Sequence, residues 1–324
     1  DVSASGATIT ATSFVGSVTG TTSNASGATG DFSIADKIVH TGDTNTAIRF
    51  PAADTFTVET AGSEAIRVDS SGRVLIGTSS AVAAPNDKIQ INSSTGVGIH
   101  RGEAGAAGPR IDLTKSRNAT HGSNTIVQSG DLLGSIFFRG DDGTDYNSSG
   151  AQIFVQVDGT PGANDMPGRL VLATSADGSA SPTERLRITS TGGVHFNNAE
   201  LIERVNIVAN KLSAVPNVNL DNGMVHYYTT NETTTATPNI ISTAGINTDL
   251  SVGETFSVNV ITTAAAAGYS TGARIDAGST LSVLWNGGND PSEGGSSGVD
   301  VYTYQVIKTG DAAFTVLGNV SNFA

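Results

Sequence analysis

The chain of 324 residues has no cysteine, one tryptophan, two methionines and little positive charge, with 17 Lys and Arg against 30 Asp and Glu. Each scarcity excludes something. Without Cys there are no disulfides, no zinc-thiolate sites and no cysteine nucleophile. A formal charge of −13 argues against a nucleic-acid groove or insertion into an anionic membrane. At 15% charged residues the chain also lacks the charge density of a disordered tail. Apolar runs are short, as at Ala264–Ala267, so nothing spans a bilayer and no signal-peptide core follows Asp1. The chain reads as soluble. Leu, Glu and Lys are sparse, and 39 glycines interrupt the apolar segments. What remains is an all-β chain.

The texture changes along the sequence. Residues 1–54 form a Ser/Thr/Gly-rich N-terminal segment. Its first 30 residues hold 6 Ser, 7 Thr, 5 Gly and 5 Ala, and Ile9, Ala11, Phe14 and Val18 mark short strands there rather than a linker. Residues 55–100 contain a clear amphipathic hairpin. Phe56 and Val58, Ile66 and Val68, then Val74 and Ile76 share one parity around a Ser70-Ser71-Gly72 turn, with Arg67, Asp69 and Arg73 on the other. Residues 101–200 end in a second copy 120 positions later. Glu64, Arg67, Ser70, Gly72 and Val74 recur as Glu184, Arg187, Ser190, Gly192 and Val194, and Phe56–Thr60 returns as Leu170–Thr174. Such a hairpin cannot bury its apolar face alone. Three chains around one axis give each face two sister faces and each strand edge a neighbour, which predicts a homotrimeric, elongated β-hairpin or β-prism shaft.

The runs Ser129-Gly130-Asp131-Leu132-Leu133-Gly134-Ser135-Ile136, Val157 to Leu170 (VDGTPGANDMPGRL) and Pro182-Thr183-Glu184-Arg185-Leu186-Arg187-Ile188 resemble a module of tailed-bacteriophage tail fibres. Thr55–Thr78 is similar to the short repeat of the same proteins, especially those of marine cyanophages. Together these cover roughly residues 30–200. The resemblance implies a trimeric virion appendage whose distal part contacts the host cell, beside other tail or virion proteins. Such fibres often end in a self-cleaving intramolecular chaperone, and no such segment is recognisable here. The start at Asp1 leads us to expect that a virion-anchoring segment is missing from this sequence.

Residues 201–324 form a different unit. Strands are expected at Val205–Ala209, Met224–Thr229, Thr255–Thr262, Thr280–Trp285, Val299–Lys308 and Ala313–Leu317, separated by polar turns at the spacing of a sandwich. The expectation is a jelly-roll-like β-sandwich head, similar to C-terminal domains of marine phage fibres.

Trp285 precedes Asn286-Gly287-Gly288-Asn289-Asp290, and five of the six tyrosines, including Tyr269, lie in the same unit. Aromatic faces stack on sugar rings while amides and carboxylates bond hydroxyls, so Trp285, Asn286, Asn289, Asp290 and Tyr269 are the candidate glycan-binding residues. The competing reading places Trp285 in the core. The candidate ligands for a structural metal are His195, tripled on a threefold axis, and the turn carboxylates Asp141, Asp142 and Asp145, although these lack the spacing of a calcium loop. No cofactor is expected. Arg139-Gly140-Asp141 is a chance tripeptide. Gly294-Gly295-Ser296-Ser297-Gly298 matches G-x-S-x-G without the strand and helix a nucleophile elbow needs, and nothing singles out Glu200 and Glu203 as a catalytic pair. The sequence therefore points to a non-enzymatic, homotrimeric phage tail fibre that attaches to a host surface glycan or protein. The alternatives are a tailspike depolymerase cutting surface polysaccharide and a capsid fibre or decoration protein.

Overall fold

The computed structural model describes Ile34, residues 36–82 and residues 87–324. The strands expected around Ile9, Ala11, Phe14 and Val18 lie outside the described residues. The fold is all-β, with twenty strands and one four-residue α-helix among the described residues. It divides into two units, one ending at Asn198 and the other beginning at Ala199.

The first unit contains the same meander twice. Strands β1 (Lys37–His40), β2 (Asp43–Arg49), β3 (Phe56–Thr60), β4 (Ser63–Val68) and β5 (Val74–Ile76) each pair antiparallel with the next, and β6 (Ile89–Ile91) adds parallel to β5. Strands β7 (Leu132–Arg139), β8 (Ser149–Val157), β9 (Gly168–Thr174), β10 (Thr183–Ile188) and β11 (Val194–Phe196) repeat that order. The first sheet crosses position 54, where sequence texture had placed a boundary, because Ala47, Ile48 and Arg49 pair with Glu59, Val58 and Thr57. The repeat is therefore a whole five-strand unit.

Registers coincide as well. Ile66 and Val68 face Ile76 and Val74, while Leu186 and Ile188 face Phe196 and Val194. Both turns place glycine at a left-handed position, Gly72 at φ 68° and Gly192 at φ 84°, which a side chain would resist. In each, that glycine's N–H donates to the carbonyl three residues earlier, on Asp69 or Thr189. Asp69 Oδ1 then accepts from the Arg73 amide at 3.0 Å, and Thr189 Oγ1 accepts from the Gly193 amide at the same distance. An acid and a hydroxyl perform one task, as side chains that mimic a backbone turn can.

The second unit departs from the expected jelly roll. Its strands are β12 (Val205–Val208), β13 (Asn217–Asn219), β14 (Val225–Tyr228), β15 (Asn239–Ile241), β16 (Thr255–Thr263), β17 (Gly272–Ile275), β18 (Leu281–Trp285), β19 (Val299–Gly310) and β20 (Ala313–Phe323), with α1 (Ile246–Asp249) after β15. The sheet order is β12-β14-β16-β19-β20-β18-β17-β15-β13. Five of its eight neighbour pairings are parallel, whereas a jelly roll is antiparallel. Successive strands alternate between two growing halves, β12, β14 and β16 in one and β13, β15 and β17 in the other. Each strand of one half thus serves as the crossover that a parallel pair in the other half requires. The long β19–β20 hairpin continues the first half, and β18 joins it to the second.

The curled sheet encloses one core that draws on both halves: Tyr228, Val258, Val260, Tyr302, Tyr304, Val306 and Val316 against Val218, Ile240, Ala273, Ile275, Val283 and Trp285. Its polar atoms are mostly satisfied in place. Trp285 Nε1 donates to the Thr271 carbonyl at 3.2 Å, Tyr304 to Ser270 Oγ at 2.9 Å and Tyr228 to the Asn217 carbonyl at 3.2 Å. Buried Lys308 donates to the carbonyls of Asn247 and Leu250 on and after α1. Buried His226 bridges Asn206 Nδ2 and the Gly223 carbonyl.

Trp285 sits edge-on to Tyr302 and Tyr304, with centroids 6.3 and 5.9 Å away. Trp285→Ala should therefore destabilise the C-terminal unit by about 3–5 kcal/mol, read from its denaturant transition. Two pH effects follow from burial. It holds His226 below its ordinary 6.5, so the stability of the neutral ring, present above pH 6.5, is lost as the pH falls; His226→Gln should flatten that acid limb. Burial also raises Tyr228 and Tyr302 to about 12, and Tyr304 further. Their contribution is complete below pH 10 and is lost as the pH rises through 12. Alkaline unfolding should coincide with the appearance of tyrosinate absorbance.

Candidate functional site

The strongest anomaly is an apolar surface that the chain leaves open. Side chains alternate across a strand, so the registers assemble rows on one face of each meander. In the first sheet Ile38, Ile48, Val58, Ile66, Ile76 and Ile91 form one row across six strands. Phe56, Val68, Val74 and Ile89 form the next, and Phe50 lies 6.0 Å from Phe56 between ring centroids. In the second sheet the corresponding rows are Ile136, Ile153, Leu172, Leu186 and Phe196, then Val155, Leu170, Ile188 and Val194. These rows are purely hydrocarbon.

These faces are exposed. Ile38, Ile48, Phe50, Ile66, Ile89 and Ile91 are 37–66% accessible, and Ile136, Leu170, Leu172, Ile188, Val194 and Phe196 are 37–57%. The reverse faces carry the charges yet are better covered. Thr57 and Leu75 are 1% exposed and Val171 is fully buried. The reason is local: Arg49 bonds Glu59 at 3.0 Å, Arg67 bonds Glu64 at 2.7 Å and Arg187 bonds Glu184 at 2.9 Å, laying long side chains flat over the sheet. The bond to Glu64 raises the Arg67 pKa, and Arg187 holds Glu184 below the ordinary carboxylate range. The second sheet receives one further contact on its apolar side. Leu113 sits over Gly134, where a Cβ would lie 2.8 Å from the Leu113 Cβ.

The residues singled out in the sequence scatter. Trp285 belongs to the core and is 7% exposed, so it offers no ring face to a sugar; like Val283 it points inward, while Leu284 between them points out. Asn286, Asn289 and Asp290 are exposed. Asn286 donates to Asn319 Oδ1 at 3.2 Å, and Tyr269 is half-buried, its carbonyl accepting from the Ala236 amide. Asp290 alone of the set lines a cleft. His195 is exposed but pairs across from Arg187, on the opposite side from Val194 and Phe196. An axis built on the apolar faces would leave it outside, which removes the geometric basis for three axial imidazoles.

The carboxylates of the Asp141–Asp145 turn are engaged by their own backbone. Asp141 Oδ1 accepts from Gly143 at 2.8 Å, Asp142 Oδ1 from Thr144 at 2.9 Å and Asp145 Oδ1 from Asn147 at 2.8 Å, while Ser148 donates to Asp142 Oδ2. Those bonds, led by Ser148, lower the Asp142 pKa. Among the described residues no three His, Asp or Glu side chains converge as metal ligands. Gly294 and Gly295 form a loop closed onto Asp300, whose carboxylate accepts the Gly295 amide at 2.9 Å, and no helix follows. Glu200 and Glu203 are exposed ahead of β12.

No helix among the described residues is long and apolar enough to cross a membrane. No protein-family model and no curated protein matches the chain. Among solved structures the chain is similar to the C-terminal domain of the bacteriophage T5 L-shaped tail fibre, with 18% identity and a TM-score of 0.38 over 49% of this chain and 75% of that one. It is also similar to the same domain solved with its intramolecular chaperone, with 17% identity and a TM-score of 0.40 over 49% of this chain and 52% of that one. The chain thus spans about half the length of the latter. Likenesses at these values do not establish a shared fold, and the functional reading rests on this chain's own residues.

Proposed function

We propose that the protein is a structural virion component, a homotrimeric phage tail fibre whose meander unit forms the shaft and whose C-terminal unit contacts the host surface. One observation carries the reading: in both copies of the meander one face presents rows of exposed hydrocarbon side chains. A monomer would keep two rows of Ile, Val, Leu and Phe in water on each sheet, which is the signature of an association surface. The motifs quoted above, in which this chain resembles phage fibre modules, supply the biological setting.

Three copies suit the geometry better than two. A face-to-face pair would cover the rows but leave β1, β6, β7 and β11 as open edges, whereas three sheets around an axis bring each edge beside a neighbouring sheet. Three copies of −13 are tolerable when spread along a rod and screened by salt. Attachment then works through reach and through three identical heads that raise effective concentration. The role is mechanical and adhesive, without catalysis.

Static light scattering should give three times the 32.8 kDa of one chain; a stable folded monomer sinks the proposal. A charge placed in one row of each sheet, as Ile66→Asp with Leu172→Asp, should dissociate the assembly. The exposed Ser257→Asp on β16 should not. Release of reducing ends from host polysaccharide by the purified protein would instead favour a depolymerase.

A further inference from the structure

We infer that the C-terminal unit binds an uncharged, hydroxyl-rich glycan in a groove along the β17–β18 hairpin. This deepens the host-contact reading above and rests on it. Two clefts border this hairpin, of about 350 and 190 Å³, and Leu281 lines both. The larger is of the size that accommodates a small-molecule ligand. Its apolar wall is Leu281 with Phe314, and its acceptor is the Asp276 carboxylate. The smaller carries the hydroxyls of Thr280 and Ser282 and the Asp290 carboxylate. A pyranose ring has this same division, with an apolar C–H face and a hydroxyl rim.

The groove is held in shape before any ligand arrives. Asn247 ties its far wall together: its amide donates to Asp276 Oδ2 at 3.0 Å, its side chain donates to Asp311 Oδ1 at 3.0 Å and accepts from the Ala312 amide at 2.8 Å, and its carbonyl accepts from Lys308. Asp276 Oδ1 takes the Ile246 amide at 2.9 Å. Each carboxylate oxygen of Asp276 keeps a further lone pair for a donor. Both turns that form this wall hold non-glycine residues in the left-handed region, Asp276 at φ 49°, Ala277 at φ 59° and Ala312 at φ 49°. Local strain of this kind persists only where surrounding contacts fix it, and it concentrates at ligand sites.

Charge selects the ligand class. Neither cleft is lined by a Lys, Arg or His, and each carries an aspartate, so a uronate or sialylated chain would meet repulsion without a compensating cation. Hydroxyl donors meet two carboxylates and the hydroxyl residues Thr271, Ser279, Thr280 and Ser282.

The test is titration of the full-length protein, by calorimetry, with short neutral hexose and N-acetylhexosamine oligosaccharides and with uronate oligosaccharides of equal length. The expected result is binding of a neutral glycan that weakens about tenfold or more in Asp290→Ala, which removes a charged acceptor from an exposed position, and disappears in Ser279→Trp and Ser282→Trp, which fill the groove from exposed positions. Ser257→Trp is the control and should change nothing. Binding unaffected by the two blocking variants, a preference for uronates, or no binding of any neutral glycan overturns the inference. Light scattering on the same samples separates the two readings: a trimer that ignores neutral glycans overturns the groove alone, and a monomer that binds them overturns the fibre alone, because the groove is built within one chain.

Discussion

Strand alternation governs the meander unit. A strand presents successive side chains to opposite faces, so any register that aligns Ile48, Val58, Ile66 and Ile76 on one side must collect Arg49, Thr57, Arg67 and Leu75 on the other. A single layer of five or six strands has little of its own to lay over the first side, and in the second sheet Leu113 covers only Gly134. The charged side can be sheltered locally, because Arg and Glu side chains are long enough to fold over their neighbours and pair. Branched hydrocarbon side chains have no such option, and the result is an open apolar face in each copy. The proposed association rests on that asymmetry.

The C-terminal unit meets the same constraint in another way. Its strands also alternate, most plainly in β19, where Tyr302, Tyr304 and Val306 point inward and the intervening residues are half-exposed. Here the chain supplies its own second layer. Passing back and forth between two halves, it sets Val218, Ile240 and Ile275 opposite Tyr228, Val260 and Tyr304 and closes a core without help. One polypeptide thus joins a unit with an open apolar face to one with a closed core.

Much of this is legible in the residues. The hairpin repeat at Glu64–Gly77 and Glu184–Asn197 was visible because its turns demand Gly72 and Gly192 and its ion pairs demand Glu and Arg three apart. The earlier strands of each copy were not, since β1, β2, β7 and β8 share no such markers and differ in loop length; only pairing reveals that Ile38 and Ile136 hold the same place. The long strands β16, β19 and β20 announced themselves by alternation. Strands β13 and β15, with Asn217, Asn219 and Asn239, carry no strand signature, because their partners are neighbours in space on a parallel ladder rather than in a hairpin. The place of Trp285 in the core was not legible for a related reason: an aromatic beside polar turn residues looks the same from sequence whether the strand turns that ring inward or outward.

The sequence by itself determined the β class, the duplicated hairpin and which side chains share a face, because these depend on local periodicity and turn chemistry. Tertiary structure alone decided which face is left open, that the second unit is a coiled mixed sheet instead of a jelly roll, that Trp285 is core, and that Asp276 and Asp290 line two clefts that share Leu281. Those outcomes depend on strand order and on pairings between residues far apart in the chain, which no local pattern encodes.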